Sequence, residues 1–205
     1  MNLIKDCSDF LARQFTNRFK LSERESSYLD YGLQLILGYL LELVFILLIG
    51  YLLGVFWPLV VAHFCFVAFR QCAGGLHMPT YFLCFTTSLL VFIVIGLLIR
   101  FVQPGLPALF IWLFVVTLLS ILLVNKYAPA DTEIIPIKDP VLRKKLKKRA
   151  QQVITGWFIL SLLLIYIFPA SQQLVFAGSL GILAELPSLH PFFYGLIDRY
   201  FPAHD

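Results

Sequence analysis

Charged residues are scarce in this chain of 205 residues, making up 14% of the sequence. An ordinary soluble domain has about a quarter. The charges are also segregated, because 71–99, 101–124 and 150–184 contain none and Glu42 is the only one in 32–68. Apolar stretches of this length exclude an ordinary soluble domain. They predict helices that cross a bilayer, each of which needs about 20 residues.

Cysteine pairs are also missing from the sequence. The four cysteines show no Cys-x-x-Cys spacing and no regular series of the kind that a secreted disulfide scaffold carries. They are Cys7, Cys65, Cys72 and Cys84. We therefore expect free thiols, which the reducing cytoplasm maintains.

The apolar runs predict an all-α integral membrane protein with about six transmembrane helices. They lie at 33–53, 55–69, 82–99, 107–124, 153–168 and 172–187. Residues 1–30 predict an amphipathic interfacial helix, since apolar side chains recur there at helical spacing with charges between them. We expect a single membrane domain over 1–205. In it, 31–124 hold four spans, 125–152 form a basic loop, and 153–205 hold two spans and a tail.

The basic residues predict the orientation of these spans. The second run, 55–69, reaches only about 22 Å as a helix, short of a hydrocarbon core of about 30 Å, so a re-entrant segment is the alternative to a crossing. With six crossings and a cytoplasmic N-terminus, 15 of the 16 Lys and Arg residues are cytoplasmic and only Arg100 is outside. The positive-inside rule requires such a split. We therefore expect six crossings, with a second helix that either extends into the motif that follows residue 69 or thins the bilayer locally.

The segment RQCAGGLHMPTYFLCF, residues 70–85, separates two apolar runs with residues that break a helix. Two glycines and Pro79 predict a turn, followed by a helix that Thr80 caps. In an unbroken helix His77 and Cys84 would lie about 10 Å apart along the axis, whereas a turn can fold His77 back beside Cys84. Cys84 would then lie about one turn into the new helix, where the amide dipole favours a thiolate.

A histidine beside such a cysteine is the activated nucleophile of a cysteine peptidase. Two other interpretations stay open from the residues alone. The first is structural, because cysteine is a common small residue in buried helices and a histidine at a membrane interface often only hydrogen-bonds there. The second is a zinc site, although the spacings lack the short paired knuckle of structural zinc sites. Its ligands would come from His63, Cys65, Cys72, His77 and Cys84.

Two motifs, in a fixed order, carry a resemblance to a known family. RQCAGGLH is followed seven residues later by Cys84, and YAPADTEIIPI, residues 127–137, leads into LRKKLKKR. With the length and the number of apolar segments, they make the whole chain resemble the accessory gene regulator B (AgrB) family. These membrane peptidases process the precursor of a cyclic autoinducing peptide in Gram-positive quorum sensing. Ile134 and Ile135 depart from the more polar residues expected in the second motif.

The resemblance implies a membrane cysteine endopeptidase that cleaves a quorum-sensing propeptide through a thioester and promotes its cyclisation to a thiolactone or lactone. The family's catalytic histidine falls on His77 and its nucleophile on Cys84, while Arg70, Gly74 and Gly75 match the surrounding turn. A homodimer in the bacterial cell membrane, with a cytoplasmic active site, is also implied. We expect no cofactor, no metal and no nucleic-acid partner.

The stretch VLRKKLKKR, residues 141–149, contains six basic residues in nine. Such a cluster anchors a protein on anionic lipid. It is also suited to bind the acidic C-terminal tail of the short amphipathic propeptides that the resemblance implies as substrates. The candidate docking residues are Arg143, Lys144, Lys145, Lys147, Lys148 and Arg149.

The residues leave open which group would orient His77. The candidates are Gln34, Glu42, Arg70 and Gln71, and the amides of the paired glycines are candidates for an oxyanion hole. A function of a different class, a small transporter or channel, would use Glu42 and His63 beside an interrupted helix. The spans contain few polar residues and no inverted repeat that would favour transport.

Overall fold

The computed structural model describes residues 2–76, 78, 80–130 and 137–200. The described residues form eight α-helices and two short 3-10 helices, and no β-strand is among them. In chain order the α-helices are α1 (Asn2–Phe19), α2 (Glu23–Leu52), α3 (Phe56–Ala73), α4 (Tyr81–Phe101), α5 (Leu106–Tyr127), α6 (Pro140–Ile167), α7 (Gln172–Glu185) and α8 (Pro191–Tyr200). The 3-10 helices, Pro169–Ser171 and Leu186–Leu189, flank α7.

The helices α2 to α6 are each long and apolar enough to cross a membrane. A sixth crossing is formed if the bent pair Pro169–Leu189 and Pro191–Ile197, with 67° between its parts, counts as one span. The prediction of an all-α membrane protein with about six spans is confirmed. The second run is helical over Phe56–Ala73 and so extends into the RQCAGGLH motif, as expected.

The chain divides into two compact units, 1–46 and 47–205. In the first unit the helix predicted over 1–30 is interrupted. Lys20 has a φ of 52°, a left-handed conformation that ends α1. The backbone amide of Ser22 then donates to the Glu25 carboxylate at 2.9 Å while the Glu25 amide donates back to the Ser22 hydroxyl, a capping box that starts α2. The prediction of one helix over 1–30 is therefore wrong, because its last part belongs to α2.

In the second unit α3 packs against α6 and α7. The contact with α7 is close, because a Cβ on Gly181 would meet the backbone of Ala62. A core of buried apolar side chains fills the space between α3, α5, α6 and α7. It includes Phe69, Val124, Ala150, Ile154 and Ile182.

The helices α3 to α7 of the second unit alternate in direction. The Ala130 amide, just beyond α5, donates to the Ala73 carbonyl at the end of α3 at 2.8 Å, and α7 ends at the same side, where Glu185 pairs with Arg70. At the opposite side, the Gln173 side chain near the start of α7 donates to Ile99 near the end of α4. The RQCAGGLH motif and the start of the 125–152 segment therefore share one side of the bundle.

The basic segment differs from the predicted loop. Its residues from Pro140 onward are the first turns of α6, a 28-residue helix that is continuous with the fifth span. Asp139 caps this helix by accepting from the Val141 amide at 2.8 Å, and Pro140 takes the first helical position. Both are strong signals for a helix start, so the loop prediction is wrong over 140–152.

Candidate active site

The N-terminus of α4 carries Cys84. Thr80 caps this helix, since its hydroxyl accepts from the Leu83 amide at 3.3 Å. The Cys84 amide donates to the Thr80 carbonyl at 3.1 Å, which makes Cys84 the fourth residue of α4. Its side chain is half-buried. The structure thus confirms the cap and the position of Cys84 one turn into a helix, where the helix dipole favours negative charge.

The turn before α4 depends on two glycines. Helix α3 ends at Ala73, and Gly74 and Gly75 adopt φ values of 71° and 153°, a region that residues with a side chain rarely occupy. The Gly74 amide donates to the Arg70 carbonyl at 3.0 Å and so closes the last turn of α3. This amide is therefore already bound, which argues against its predicted use as an oxyanion donor.

Gly74 also lies directly against the segment after α5. It pairs with Ala130 in an isolated parallel β-bridge, and a Cβ at Gly74 would collide with the Ala130 backbone. The first glycine of RQCAGGLH therefore contacts the first residues of YAPADTEIIPI, so the two motifs meet in space. Residues 131–136 of that stretch, including Ile134 and Ile135, lie outside the described residues.

A buried ion pair supports the other side of the turn. Arg70 Nη1 lies 2.9 Å from each carboxylate oxygen of Glu185, and Arg70 Nη2 donates to the Leu76 carbonyl at 2.7 Å. The Glu185 residue is 1% exposed. Ser188 donates its hydroxyl to the same carboxylate and accepts, through its carbonyl, from the Leu76 amide at 3.2 Å. We call Arg70, Glu185 and Ser188 the clamp.

His77 and Pro79 lie outside the described residues. The distance between the His77 ring and the Cys84 thiol therefore stays a prediction, as do the catalytic roles of both residues. The structure does describe the backbone on either side, with Leu76 held by the clamp and Cys84 held in the first turn of α4.

The family model described as "Accessory gene regulator B" matches residues 8–189. The chain belongs to this family. Its curated relatives include accessory gene regulator protein B of Staphylococcus aureus, which is 26% identical over 95% of this chain and 98% of its own length. A putative AgrB-like protein of Listeria innocua is 28% identical, over 97% and 94%, and one of Listeria monocytogenes is 29% identical over the same shares. No solved structure matches the chain significantly.

Membership of the accessory gene regulator B family supports a role in the corresponding quorum-sensing system. The matched residues include the glycine turn, Cys84, the basic segment and the whole clamp. The clamp residues Glu185 and Ser188 were missed by the sequence reasoning. The sequence does contain a signal for Glu185, because it is the first charged residue after the uncharged stretch 150–184. With six crossings it lies on the same side as Arg70.

Three lysines of the basic segment share one face of α6. Pro140, Val141, Lys144, Lys145 and Lys148 line an open groove of about 610 Å³. Lys147 points elsewhere, because its ammonium donates to the Asn125 carbonyl at the end of α5 at 2.6 Å. Of the six predicted docking residues, three therefore face the groove, and Lys147 ties α6 to α5.

The other residues singled out from the sequence lie in α2 and α3. The Gln34 side chain donates to Asp30 one helical turn away at 2.8 Å, and Gln34 and Glu42 belong to the unit formed by residues 1–46. His63 lies in α3 with its ring against the Phe92 ring, and within the described part of the chain its Nδ1 atom has no hydrogen-bond partner. Gln71 is exposed on α3 beside Arg70. Among the described residues, no three His, Cys, Asp or Glu side chains converge as a metal site.

A second polar contact, also missed from the sequence, joins α5 to the start of α8. The Tyr127 hydroxyl lies 3.2 Å from His190 Nε2, and the Phe192 amide donates to His190 Nδ1 at 3.2 Å. Because Nδ1 accepts a hydrogen bond, the ring proton is assigned to Nε2, which donates to Tyr127. His190 thus fixes the bend between α7 and α8 to the end of α5.

Proposed function

We propose that this protein is a membrane-embedded cysteine endopeptidase that cleaves a quorum-sensing propeptide and promotes its cyclisation. The observation that carries the proposal is the position of Cys84. It lies in a capped first helical turn, directly after a double-glycine turn that a buried ion pair holds. This is an arrangement in which a thiolate is favoured.

In the first step the Cys84 thiolate attacks the carbonyl carbon of one peptide bond of the precursor. A carbon–sulfur bond forms and the carbon–nitrogen bond breaks, while His77 delivers a proton to the departing amine. The products are a free C-terminal fragment and a thioester that joins the N-terminal fragment to Cys84. The positive end of the α4 dipole lies at the turn that carries Cys84 and favours the negative charge that develops there.

In the second step a cysteine or serine of the bound fragment attacks the thioester carbonyl. The new ring bond forms as the bond to the Cys84 sulfur breaks, and His77, which gave up its proton in the first step, takes the proton of the attacking group, so the thiolate and the imidazolium are both regenerated. Exchange of one thioester for another conserves the acyl energy, and no ATP is required. Hydrolysis competes with this step, and limited access of water at the edge of the bilayer favours the internal nucleophile.

The basic face of α6 is the proposed docking site for the acidic C-terminal tail of the precursor. Lys144, Lys145 and Lys148 present three ammonium groups along one groove, so attraction for a polyanionic tail is expected. Replacing these three lysines with glutamine should raise the KM for a precursor with an acidic tail and leave the KM for a tail-neutralised precursor unchanged. Equal KM values in liposomes at low salt would leave only lipid anchoring for this face.

We also propose that the turn and the basic face are cytoplasmic and that the enzyme acts as a homodimer. The orientation is supported by the distribution of 15 of the 16 basic residues in the sequence. A cross-linking experiment in native membranes, with monomer as the contradicting result, tests the dimer.

The test of the catalytic assignment is cleavage by purified protein in liposomes. The substrate is a synthetic propeptide of the proposed class, with an amphipathic start, a central cysteine or serine and an acidic end. We expect Cys84→Ser and His77→Ala to abolish cleavage, while Cys7→Ser, which changes an exposed cysteine of α1, keeps it. Cleavage by Cys84→Ser or His77→Ala at the wild-type rate would overturn the assignment.

The transporter alternative gains no support from the described residues. His63 contacts the Phe92 ring, and no hydrogen-bond partner reaches its Nδ1 atom. A polar path for an ion or a small solute would need polar neighbours at this point.

A further inference from the structure

The clamp contains a carboxylate that the proposed reaction does not use. Glu185 lies at the end of α7, is 1% exposed, and contributes both oxygens to Arg70 and one to Ser188. An ion pair with a buried carboxylate rarely adds much net stability compared with apolar residues of the same volume, because Glu185 loses its hydration and Arg70, whose side chain is 21% exposed, loses part of it. A role in fixing geometry accounts better for this pair than a role in stability.

The clamp binds the backbone of Leu76, the residue that precedes His77 in sequence. Arg70 Nη2 donates to the Leu76 carbonyl at 2.7 Å, and the Leu76 amide donates to the Ser188 carbonyl at 3.2 Å. Both backbone polar groups of Leu76 are therefore bound to the clamp. These two bonds fix the peptide groups of Leu76, the residue directly before His77 in sequence.

The glycine turn also packs directly against the clamp. Gly75 is buried with a φ of 153°, and a Cβ at this position would collide with the Glu185 carboxylate and the Ser188 hydroxyl. The carboxylate thus lies directly against the turn backbone. Any residue with a side chain at position 75 would therefore displace the clamp.

We propose that Glu185 and Ser188 are positioning residues for the cleavage reaction, because through Arg70 and Leu76 they hold the backbone that carries His77. The inference rests on the proposed function, in which His77 protonates the departing amine. Neither residue touches the substrate. Loss of the clamp should therefore impair the chemical step and leave precursor binding intact.

The first test is Glu185→Gln, which keeps the size of the side chain and removes its charge. We expect kcat for the first cleavage to fall about 10- to 100-fold, since a displacement of about 1 Å can cost about 100-fold. KM should change by less than about twofold, because the docking groove on α6 is untouched. Rates are expressed per titrated Cys84 thiol, so that variants that accumulate poorly are compared on folded, reactive protein.

The second test separates positioning from general damage to α7. Ser188→Ala should lower kcat several-fold, and Ser188→Thr, which keeps the hydroxyl, should restore it. The matched control is Ser179→Ala, a buried serine of α7 that binds Val175 and Trp157 and does not contact the turn. Alkylation of Cys84 by iodoacetamide at neutral pH should slow in Glu185→Gln and Ser188→Ala, and stay unchanged in Ser179→Ala.

The outcomes distinguish the two proposals. A wild-type protein that cleaves without a covalent adduct on Cys84 overturns the proposed function, and the positioning roles with it. A wild-type protein that forms the adduct, with Glu185→Gln and Ser188→Ala both within twofold of its kcat, overturns the positioning roles alone. If Glu185→Gln does not fold, the comparison of Ser188→Ala with Ser188→Thr tests the positioning roles. An effect confined to KM contradicts the inference.

Discussion

At the scale of single residues, the site depends on glycines for two different reasons. Gly74 and Gly54 both have a positive φ, 71° and 70°, and Gly74 also has a ψ of −160°, a combination that is essentially restricted to glycine. A Cβ at Gly54 would meet nothing within 4 Å, whereas one at Gly74 would meet the Ala130 backbone. A side chain at Gly54 therefore costs only the unfavourable φ, whereas one at Gly74 adds both a less favourable backbone conformation and a collision.

This difference gives a prediction. Gly54→Ala should lower the free energy of unfolding by about 1 to 2 kcal/mol, the cost of a left-handed conformation. Gly74→Ala should add about 1 to 3 kcal/mol of overpacking and should also lower the rate of propeptide cleavage, because the turn must move away from Ala130. Thermal unfolding in detergent and cleavage in liposomes measure the two effects. Equal losses in both variants would contradict the close contact at Ala130.

The sequence predicted single residues of the site correctly where their roles depend on neighbours in sequence. Thr80 was predicted as a cap and Cys84 as a first-turn residue because a helix start is encoded within about four residues. The partner of Arg70 could not be found in this way. Glu185 lies 115 residues away in sequence. It is the partner of Arg70 only because α3 and α7 pack together, which local sequence patterns do not reveal.

At the scale of helices, the position of the site follows from the contact between α3 and α7. Gly181 lets the α7 backbone approach Ala62, and Gly178 makes room for the Trp157 ring of α6. Small residues serve the same purpose in helix packing within membranes generally. This close approach brings Glu185 within reach of Arg70.

Enlarging the glycine in this contact should separate the helices. Gly181→Ala should lower the free energy of unfolding by about 1 to 3 kcal/mol through overpacking and reduce cleavage by displacing Glu185. Gly156→Ala is the matched control, since a Cβ on this α6 glycine meets nothing within 4 Å. It should be neutral or slightly stabilising, because alanine is the better helix former. Wild-type stability and activity in Gly181→Ala would exclude the contact.

The predictions of helix boundaries were correct where they rested on capping residues at the helix ends. They were wrong where they rested on composition alone. The stretch from Pro140 was predicted as loop because it is highly charged, although Asp139 and Pro140 are a strong helix start. Lys and Arg are also good helix formers. The N-terminal helix was predicted too long because the Ser22 to Glu25 capping box was overlooked.

At the scale of the whole molecule, the alternation of helices within residues 47–205 places the glycine turn and the basic face on one side. Both contact the end of α5, because the Ala130 amide donates to Ala73 beside the turn and Lys147 at the start of α6 donates to the Asn125 carbonyl. Arg100, the one basic residue predicted outside, lies at the opposite end of α4, where its side chain donates to the Leu53 carbonyl at 3.2 Å. The charge distribution and the contacts thus describe the same arrangement.

The orientation can be measured with single cysteines. In a variant without native cysteines, Lys145→Cys should react with an impermeant maleimide only in inside-out vesicles, and Gln103→Cys only in intact cells. Both positions are exposed, so access to the reagent depends on the side of the membrane. Labelling of both from the same side would contradict the six-span arrangement, and a reversed pattern would place the turn outside.

The most direct test of the account is the covalent intermediate on Cys84. Wild-type protein in liposomes is mixed with a propeptide in which the internal nucleophile is replaced by alanine, so that cyclisation is blocked and the thioester accumulates. We predict that the intact mass of the protein rises by the mass of the N-terminal fragment. Peptide mapping should place the adduct on Cys84, and hydroxylamine should release it. Cleavage with no mass increase, or an adduct on Cys7, Cys65 or Cys72, would contradict the assignment of the nucleophile.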